Sequence, residues 1–333
     1  MTVRNLSDRM DGDRYCPPEQ RSGEAATVYF TRDLSAEGLC RILTRVSAVL
    51  GGQVAIKLHS GEPDGPNILP RPWVKALCDG PLAGAVIAET NTLYDGPRHT
   101  TAAHRRTLTK NGWTFAPVDI LDADGAVTLP VSGGRWLKEA SVGAHLLDYD
   151  SLLVLTHFKG HTKGGFGGCN KNIGIGCADG TVGKAAIHTD PASDDLWLIG
   201  NEEFMERMTE STKAVVDRFG EKIAYINVMR CMSVSCDCEG VYAAPVTTPD
   251  VGILASLDIL AADQAAVDLI YAMKEDDRRD LCERMESRHG LRQLSYMKEL
   301  GMGHDRYLLI DTDNGDRAIT PAEAVKDVTP FIR

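Results

Sequence analysis

Basic charge is in short supply: 36 Lys and Arg stand against 47 Asp and Glu, for a net charge of −11. Sequence-independent nucleic-acid binding needs a basic surface that displaces counterions from phosphates, so that class of function is excluded. Long apolar runs are missing too. No stretch approaches the roughly 20 apolar residues of a membrane-spanning helix. The opening segment MTVRNLSDRMDGDRYCPPEQ is polar and of mixed charge, without the apolar core of a signal peptide. The expectation is a cytoplasmic protein with neither a membrane nor a nucleic-acid partner. Internal repeats and low-complexity linkers are absent, which excludes solenoid architectures. So are the paired C-x₂-C of a zinc ribbon and the four-cysteine run of a ferredoxin.

What remains is ample for a globular core: 333 residues, 43% hydrophobic and 25% charged. Nine cysteines stand out. In a reducing compartment they are core thiols, nucleophiles or metal ligands rather than structural disulfides. After a loose tail over residues 1–26, short apolar runs alternate with amphipathic segments. Strands are expected at 26–30, 54–59, 84–89, 152–157, 223–229, 251–254 and 307–310. Helices are expected at 36–49, 72–78, 101–111, 136–145, 202–219, 262–273 and 277–300. The strands are continuous apolar runs, as in a sheet covered on both faces. Their alternation with helices predicts an α/β fold, a mostly parallel sheet with flanking helices. Two lobes with a cleft between them are expected, 27–200 and 201–333, with the boundary near 190–205 where DPASDD breaks the pattern.

The densest chemistry lies in residues 155–188, LTHFKGHTKGGFGGCNKNIGIGCADGTVGKAAIH. This segment opens at the end of a buried strand, where open α/β sheets bind ligands. His157, Lys159 and His161 alternate and would share one side of an extended chain. Seven glycines follow within seventeen residues, Gly165, Gly167 and Gly168 among them, and their bare N–H groups can approach a ligand. Lys171, Cys177, Lys184 and His188 come next. Neither the P-loop nor the G-x-G-x-x-G fingerprint is present, yet the lysines and amides point to an anion. Singly, each residue can be explained by packing or solvation; the whole group cannot. A second patch, SVSCDCEG, places Cys236 and Cys238 on one side of an extended chain, able to chelate a soft metal or an iron–sulfur centre. In a third, TNTLYDGPRHTTAAHRRT, Arg98 and His99 join a proton-exchanging group to an anion clamp. Lys57 and His59 close another strand.

The motifs HFKGHTKGGFGGCNKNIGIGC, INVMRCMSVSCDC and PDVGILASLDILAADQAAVDLI resemble the Domain of Unknown Function 362 family, whose members are often described as iron–sulfur centre proteins. In many relatives a ferredoxin-like insert with C-x-x-C runs follows the GK…H motif. This chain is a short variant that carries TDPASDDLWLIGNEE there, without cysteine. The resemblance implies an iron–sulfur cluster or transition metal on Cys236 and Cys238, with Cys169, Cys177 or Cys231 as further thiols. A remoter part of the pattern is similar to the lactate racemase family, which carries a nickel pincer nucleotide. His161, Gly167, Gly168, Lys171 and His188 stand where that family has a histidine, a glycine pair, the cofactor-holding lysine and a histidine ligand. His99, after Gly96, stands where it has a catalytic histidine.

These readings lead to an enzyme with an iron–sulfur or other soft-metal centre, acting on a small anionic substrate by redox or proton/hydride transfer. His99, His161 and Lys159 are the expected catalytic groups, and Lys57 and Arg98 the substrate contacts. Gly165, Gly167, Gly168, Lys171 and Lys184 are expected on a cofactor, and His157, Cys177, His188, Cys236 and Cys238 on a metal. The alternatives are a pincer-cofactor isomerase and a non-enzymatic metal or cofactor carrier.

Overall fold

Apolar runs with no polar face are satisfied only in a sheet covered on both sides, and such a sheet forms. The computed structural model describes residues 14–190 and 197–329. Its strands are β1 (Ala26–Thr31), β2 (Val54–Lys57), β3 (Val86–Glu89), β4 (Val118–Ile120), β5 (Ala126–Pro130), β6 (Glu139–Gly143), β7 (Ser151–His157), β8 (Lys159–His161), β9 (Gly165–Gly167), β10 (Ile223–Met229), β11 (Gly252–Ser256), β12 (Tyr307–Asp311) and β13 (Arg317–Ile319). Nine of them make one sheet in the order β13-β12-β1-β11-β10-β7-β2-β3-β4. Strands β10, β7, β2, β3 and β4 run parallel as neighbours, as do β1 and β12, while β11 is antiparallel to both sides. The mostly parallel α/β fold is therefore as expected. β1 pairs with β11 and β12, so the 27–200 and 201–333 segments share this sheet.

The helices are α1 (Ala36–Leu43), α2 (Arg71–Asp79), α3 (Thr101–Lys110), α4 (Cys169–Gly174), α5 (Val182–His188), α6 (Asn201–Phe219), α7 (Ile259–Ala272), α8 (Glu275–Ser287), α9 (Arg292–Glu299) and α10 (Pro321–Val325). Ser35 caps α1 by accepting the Gly38 N–H. Every residue of β7 and β10 is buried. Successive side chains feed opposite cores. Leu152, Val154 and Tyr225 meet residues of α6 to α9, whereas Leu153, Leu155 and Ile226 meet Leu39, Val74 and Leu108 of α1 to α3. Among the described residues no helix is long and apolar enough to cross a membrane.

Three expected helices differ, the one at 36–49 because it ends at Leu43 and leaves a separate 3-10 turn at Ser47–Val49. Residues 136–145 contain β6, not a helix. Ala140 and Val142 alternate inward and pair with Leu129 and Val127, while Glu210 accepts the N–H groups of Arg135, Trp136 and Leu137 and holds the chain extended. The expected helix at 277–300 is two helices, because His289 at φ 57° turns the chain left-handed. The boundary expected near 190–205 falls partly on residues 191–196, and the tail partly on 1–13, both outside the described residues. From the rest of the tail, both terminal nitrogens of Arg21 reach the Asp268 carboxylate at 2.6 Å.

One buried carboxylate joins the helices to the glycine-rich segment. Asp263 on α7 accepts the N–H groups of Cys169 (2.7 Å) and Asn170 (2.9 Å) and the side-chain amide of Asn227 (2.9 Å). Asp263→Ala strands three buried donors and is expected to cost about 2–4 kcal/mol of stability. An unchanged urea midpoint would show that α4 is held by something else.

Candidate functional site

Parallel strands β2, β3 and β7 finish on one edge of the sheet with Lys57, Glu89 and His157. A cavity of about 240 Å³ opens there, on the edge where open α/β sheets bind ligands. Lys57, Arg98, Lys159, Lys163, Lys171 and Lys184 line it, with His59, His161, His188 and Cys238. Its only carboxylate among the described residues is Glu89. The β8–β9 hairpin delivers Lys159 and His161, α4 delivers Lys171, and α5 delivers Lys184 and His188 one turn apart. The glycines serve close packing. A Cβ on Gly168 would lie 2.5 Å from an Asp263 oxygen, and one on Gly165 (φ +75°) would lie 2.7 Å from Gly290 Cα. Gly167 and Gly168 reach the cavity wall; Gly165 does not.

Three of the cations are neutralised inside the protein. Lys57 Nζ lies 2.7 Å from Glu89, whose other oxygen takes the Ser60 N–H and hydroxyl. Burial opposes ionisation of Glu89, but Lys57, His59 and Arg98 hold its carboxyl well below the usual range. Arg98 donates to Glu62 at 2.8 Å and to the Tyr94 hydroxyl. Lys159 meets Asp237 at 3.1 Å. Lys163, Lys171 and Lys184 have no carboxylate partner among the described residues. Lys163 donates to the carbonyls of Trp197 and Ile199, Lys184 to Thr90 Oγ1 and the Ala178 carbonyl, and Lys171 to Cys236 Sγ at 3.4 Å. Burial, which Asp122 and Glu89 offset only in part, pushes Lys184 down to about 8.

The histidines are held in different states. His161 Nδ1 accepts the Gly164 N–H at 2.7 Å, so its neutral ring carries the proton on Nε2. His188 Nδ1 donates to the Lys184 carbonyl at 2.8 Å, which leaves Nε2 a bare lone pair. Burial lowers the first well below its ordinary value and the second to about 4. Both rings are therefore neutral near pH 7, one offering a proton and the other able to take one.

Beside them, ligand atoms of His59, Cys236 and Cys238 lie within 4.8 Å of one another. The Cys236 thiol is held well below its ordinary value by a hydrogen bond from Cys238, by the Lys171 ammonium and by His59. Cys238 is pushed the other way by Cys236 and by burial, so the pair shares one proton. The other expected ligands lie elsewhere. His157 spends both ring nitrogens, Nδ1 on Asp237 and Nε2 on the Arg230 carbonyl. Cys177 is wholly buried and raised to about 11, Cys169 packs against Thr156 and Asn227, and Cys231 contacts Arg230. Among the described residues no four thiols converge, so a four-cysteine cluster does not fit. Two thiols and an imidazole fit one soft ion with an open position.

His99 is half-buried, donates to the Thr92 carbonyl at 3.0 Å and stays off the cavity wall. His59 joins the thiols though its only signal was a place at a strand end. Glu89 and Glu62 carried no signal at all, since their partners are set by the fold.

A family profile described as "Domain of unknown function (DUF362)" matches residues 54–268. No curated protein matches the chain. Among solved structures, the lactate racemase apoprotein from Thermoanaerobacterium thermosaccharolyticum is similar at 14% identity and a TM-score of 0.39, over 94% of this chain and 88% of that one. A protein from Thermotoga maritima is similar at 12% identity and a TM-score of 0.35, over 77% of this chain and 59% of that one.

The buried Lys184 ammonium sets a pH dependence. Its folded pKa of about 8 lies below the ordinary lysine value of 10.5, so between these values the unfolded chain binds more protons and stability rises with pH. Below about pH 8 the full cost of burying the charge applies. Lys184→Met is expected to raise stability at pH 7 by about 1–3 kcal/mol after the loss of its two hydrogen bonds. Denaturant midpoints at pH 7 and pH 10 measure this. A variant no more stable than the parent at pH 7 would show that the ammonium is compensated.

Proposed function

This chain belongs to the Domain of Unknown Function 362 family, and we propose that it is an enzyme acting on a small anionic substrate in the cationic cavity. The chemistry is redox or proton/hydride transfer, assisted by one soft-metal ion on His59, Cys236 and Cys238. One observation carries the reading. The three soft donors converge beside a cavity lined by six cations, whose single carboxylate among the described residues is already paired.

The residues divide the work by their electrostatics. Lys163, Lys171 and Lys184 have no carboxylate ion pair among the described residues and an N–H to give, and they hold the anion, while Lys57 and Arg98 are tied to Glu89 and Glu62 and shape the wall. His188 Nε2 accepts a hydrogen bond from the substrate and His161 Nε2–H donates one to it, each ring being kept neutral by burial. A metal ion bound to the donors would act as a Lewis acid toward the substrate. Buried, strongly shifted histidines and a buried Cys236 support an enzyme over a carrier, which would expose its ligands to a partner.

A second reading needs no metal. Gly61 N–H donates to His59 Nδ1 at 3.0 Å, which places the ring proton on Nε2, and His59 also hydrogen-bonds Cys236. That is the arrangement of an imidazole-supported thiolate. Anaerobic purification and elemental analysis separate the two. The metal reading expects about one soft-metal equivalent per chain, lost in both Cys236→Ser and Cys238→Ser. Protein that stays metal-free after reconstitution with zinc, iron or nickel overturns that reading and leaves the thiolate. Iron accompanied by sulfide would instead restore the cluster.

A further inference from the structure

The lysines that lack a carboxylate partner gather round one histidine. Lys184, Lys171 and Lys163 are the three charges that act on His188, and all four side chains line the same cavity. Lys171 and Lys184 are only 7% and 5% exposed. An ammonium carries three N–H groups. Lys163 and Lys184 each spend two of them within the protein and Lys171 spends one, so every one of the three has an N–H to give. Lys171 faces the Cys236 thiolate, whereas Lys163 and Lys184 donate only to neutral oxygens; the carboxylates of Asp122 and Glu89 act on Lys184 from farther off, and Glu89 is already paired with Lys57. Neither Lys163 nor Lys184 makes an ion pair among the described residues, and burying the Lys184 charge is costly unless a ligand supplies the opposite one.

We infer that this wall, Lys163, Lys171 and Lys184 around His188, is a subsite for a compact tetrahedral dianion: a phosphate group, free or carried by the substrate. The inference deepens the anionic-substrate half of the proposed function and does not depend on the metal. The residue type argues for phosphate over carboxylate. A planar carboxylate is matched by the guanidinium fork, and Arg98 has given its fork to Glu62 and Tyr94. Ammonium groups act as point charges and suit oxygens arranged in three dimensions. His188 adds a discriminator. Its bare Nε2 accepts a hydrogen bond, which free hydrogen phosphate or a singly protonated phosphate ester can donate, and which sulfate and a fully ionised ester cannot. Leu93, Ile175 and Trp197 on the same cavity leave an apolar surface for an organic remainder.

Calorimetric titration of the full chain with inorganic phosphate at low ionic strength tests this. Metal-loaded and chelator-treated protein are both titrated, with sulfate and succinate as comparison anions. The expected result is saturable single-site phosphate binding in both preparations, with sulfate weaker by roughly tenfold. Lys184→Met and the half-exposed Lys163→Met should each weaken phosphate by roughly tenfold or more. His188→Asn should remove the preference over sulfate while sulfate binding persists. Binding should also fade as pH rises above about 8, where Lys184 sheds its proton. Tighter binding of glycerol 3-phosphate than of phosphate assigns the group to a phosphorylated substrate, and the reverse assigns free phosphate. Absence of saturable phosphate binding, or succinate binding at least as tightly, overturns the inference. Phosphate binding that needs the metal, or is lost in Cys236→Ser, overturns it too and leaves the metal reading standing. Metal loading without phosphate binding does the same.

Discussion

The site hangs on the carboxylate of Asp237. It lies between the two cysteines of the C-x-C and accepts His157 from the end of β7 and Lys159 from the start of β8. Burial opposes its ionisation, but those two partners hold it far down, so the charge is permanent. Its backbone carbonyl also accepts the Glu62 N–H, and the Glu62 side chain fixes Arg98 and Tyr94. One residue thus ties the thiol segment to the sheet edge and to the loop after β2. The thiols, the hairpin and the arginine wall take their positions from it.

Around that anchor the protein buries more positive than negative charge, although the whole chain is acidic. Such a surplus weakens the fold, and proteins accept local losses of this kind at functional sites. The remaining structure offsets it with apolar packing on both faces of β7 and β10 and with buried carboxylates aimed at backbone amides. Glu210 serves the β5–β6 region in this way and Asp263 serves α4. The Asp263 clamp holds the segment that bears Lys171.

The parts of the fold that could be read early were those with a local cause. Continuous apolar runs marked β7 and β10, Ser35 marked the start of α1, and the glycine-rich segment did reach the cavity with Lys159, His161, Lys171, Lys184 and His188. Other parts answer to partners far along the chain. β6 looked helical because its extended form depends on Glu210 and on pairing with β5. His157 matched the alternation of Lys159 and His161, yet Asp237 draws it away from the cavity. Cys177 sits in the motif but packs into the core, and His59 takes the place beside the thiols.

Composition and periodicity alone determined an acidic α/β chain with a covered, mostly parallel sheet and a cluster of lysines, histidines and thiols at strand ends. Those properties follow from hydrophobic burial and from side-chain alternation, which act over a few residues. Only the tertiary structure decided which charges are paired and which are left over, which histidine carries its proton on which nitrogen, and which two of nine cysteines share one. Electrostatic and hydrogen-bond partners are chosen by distance in space, and the chain brings them together from segments with no local signal for one another.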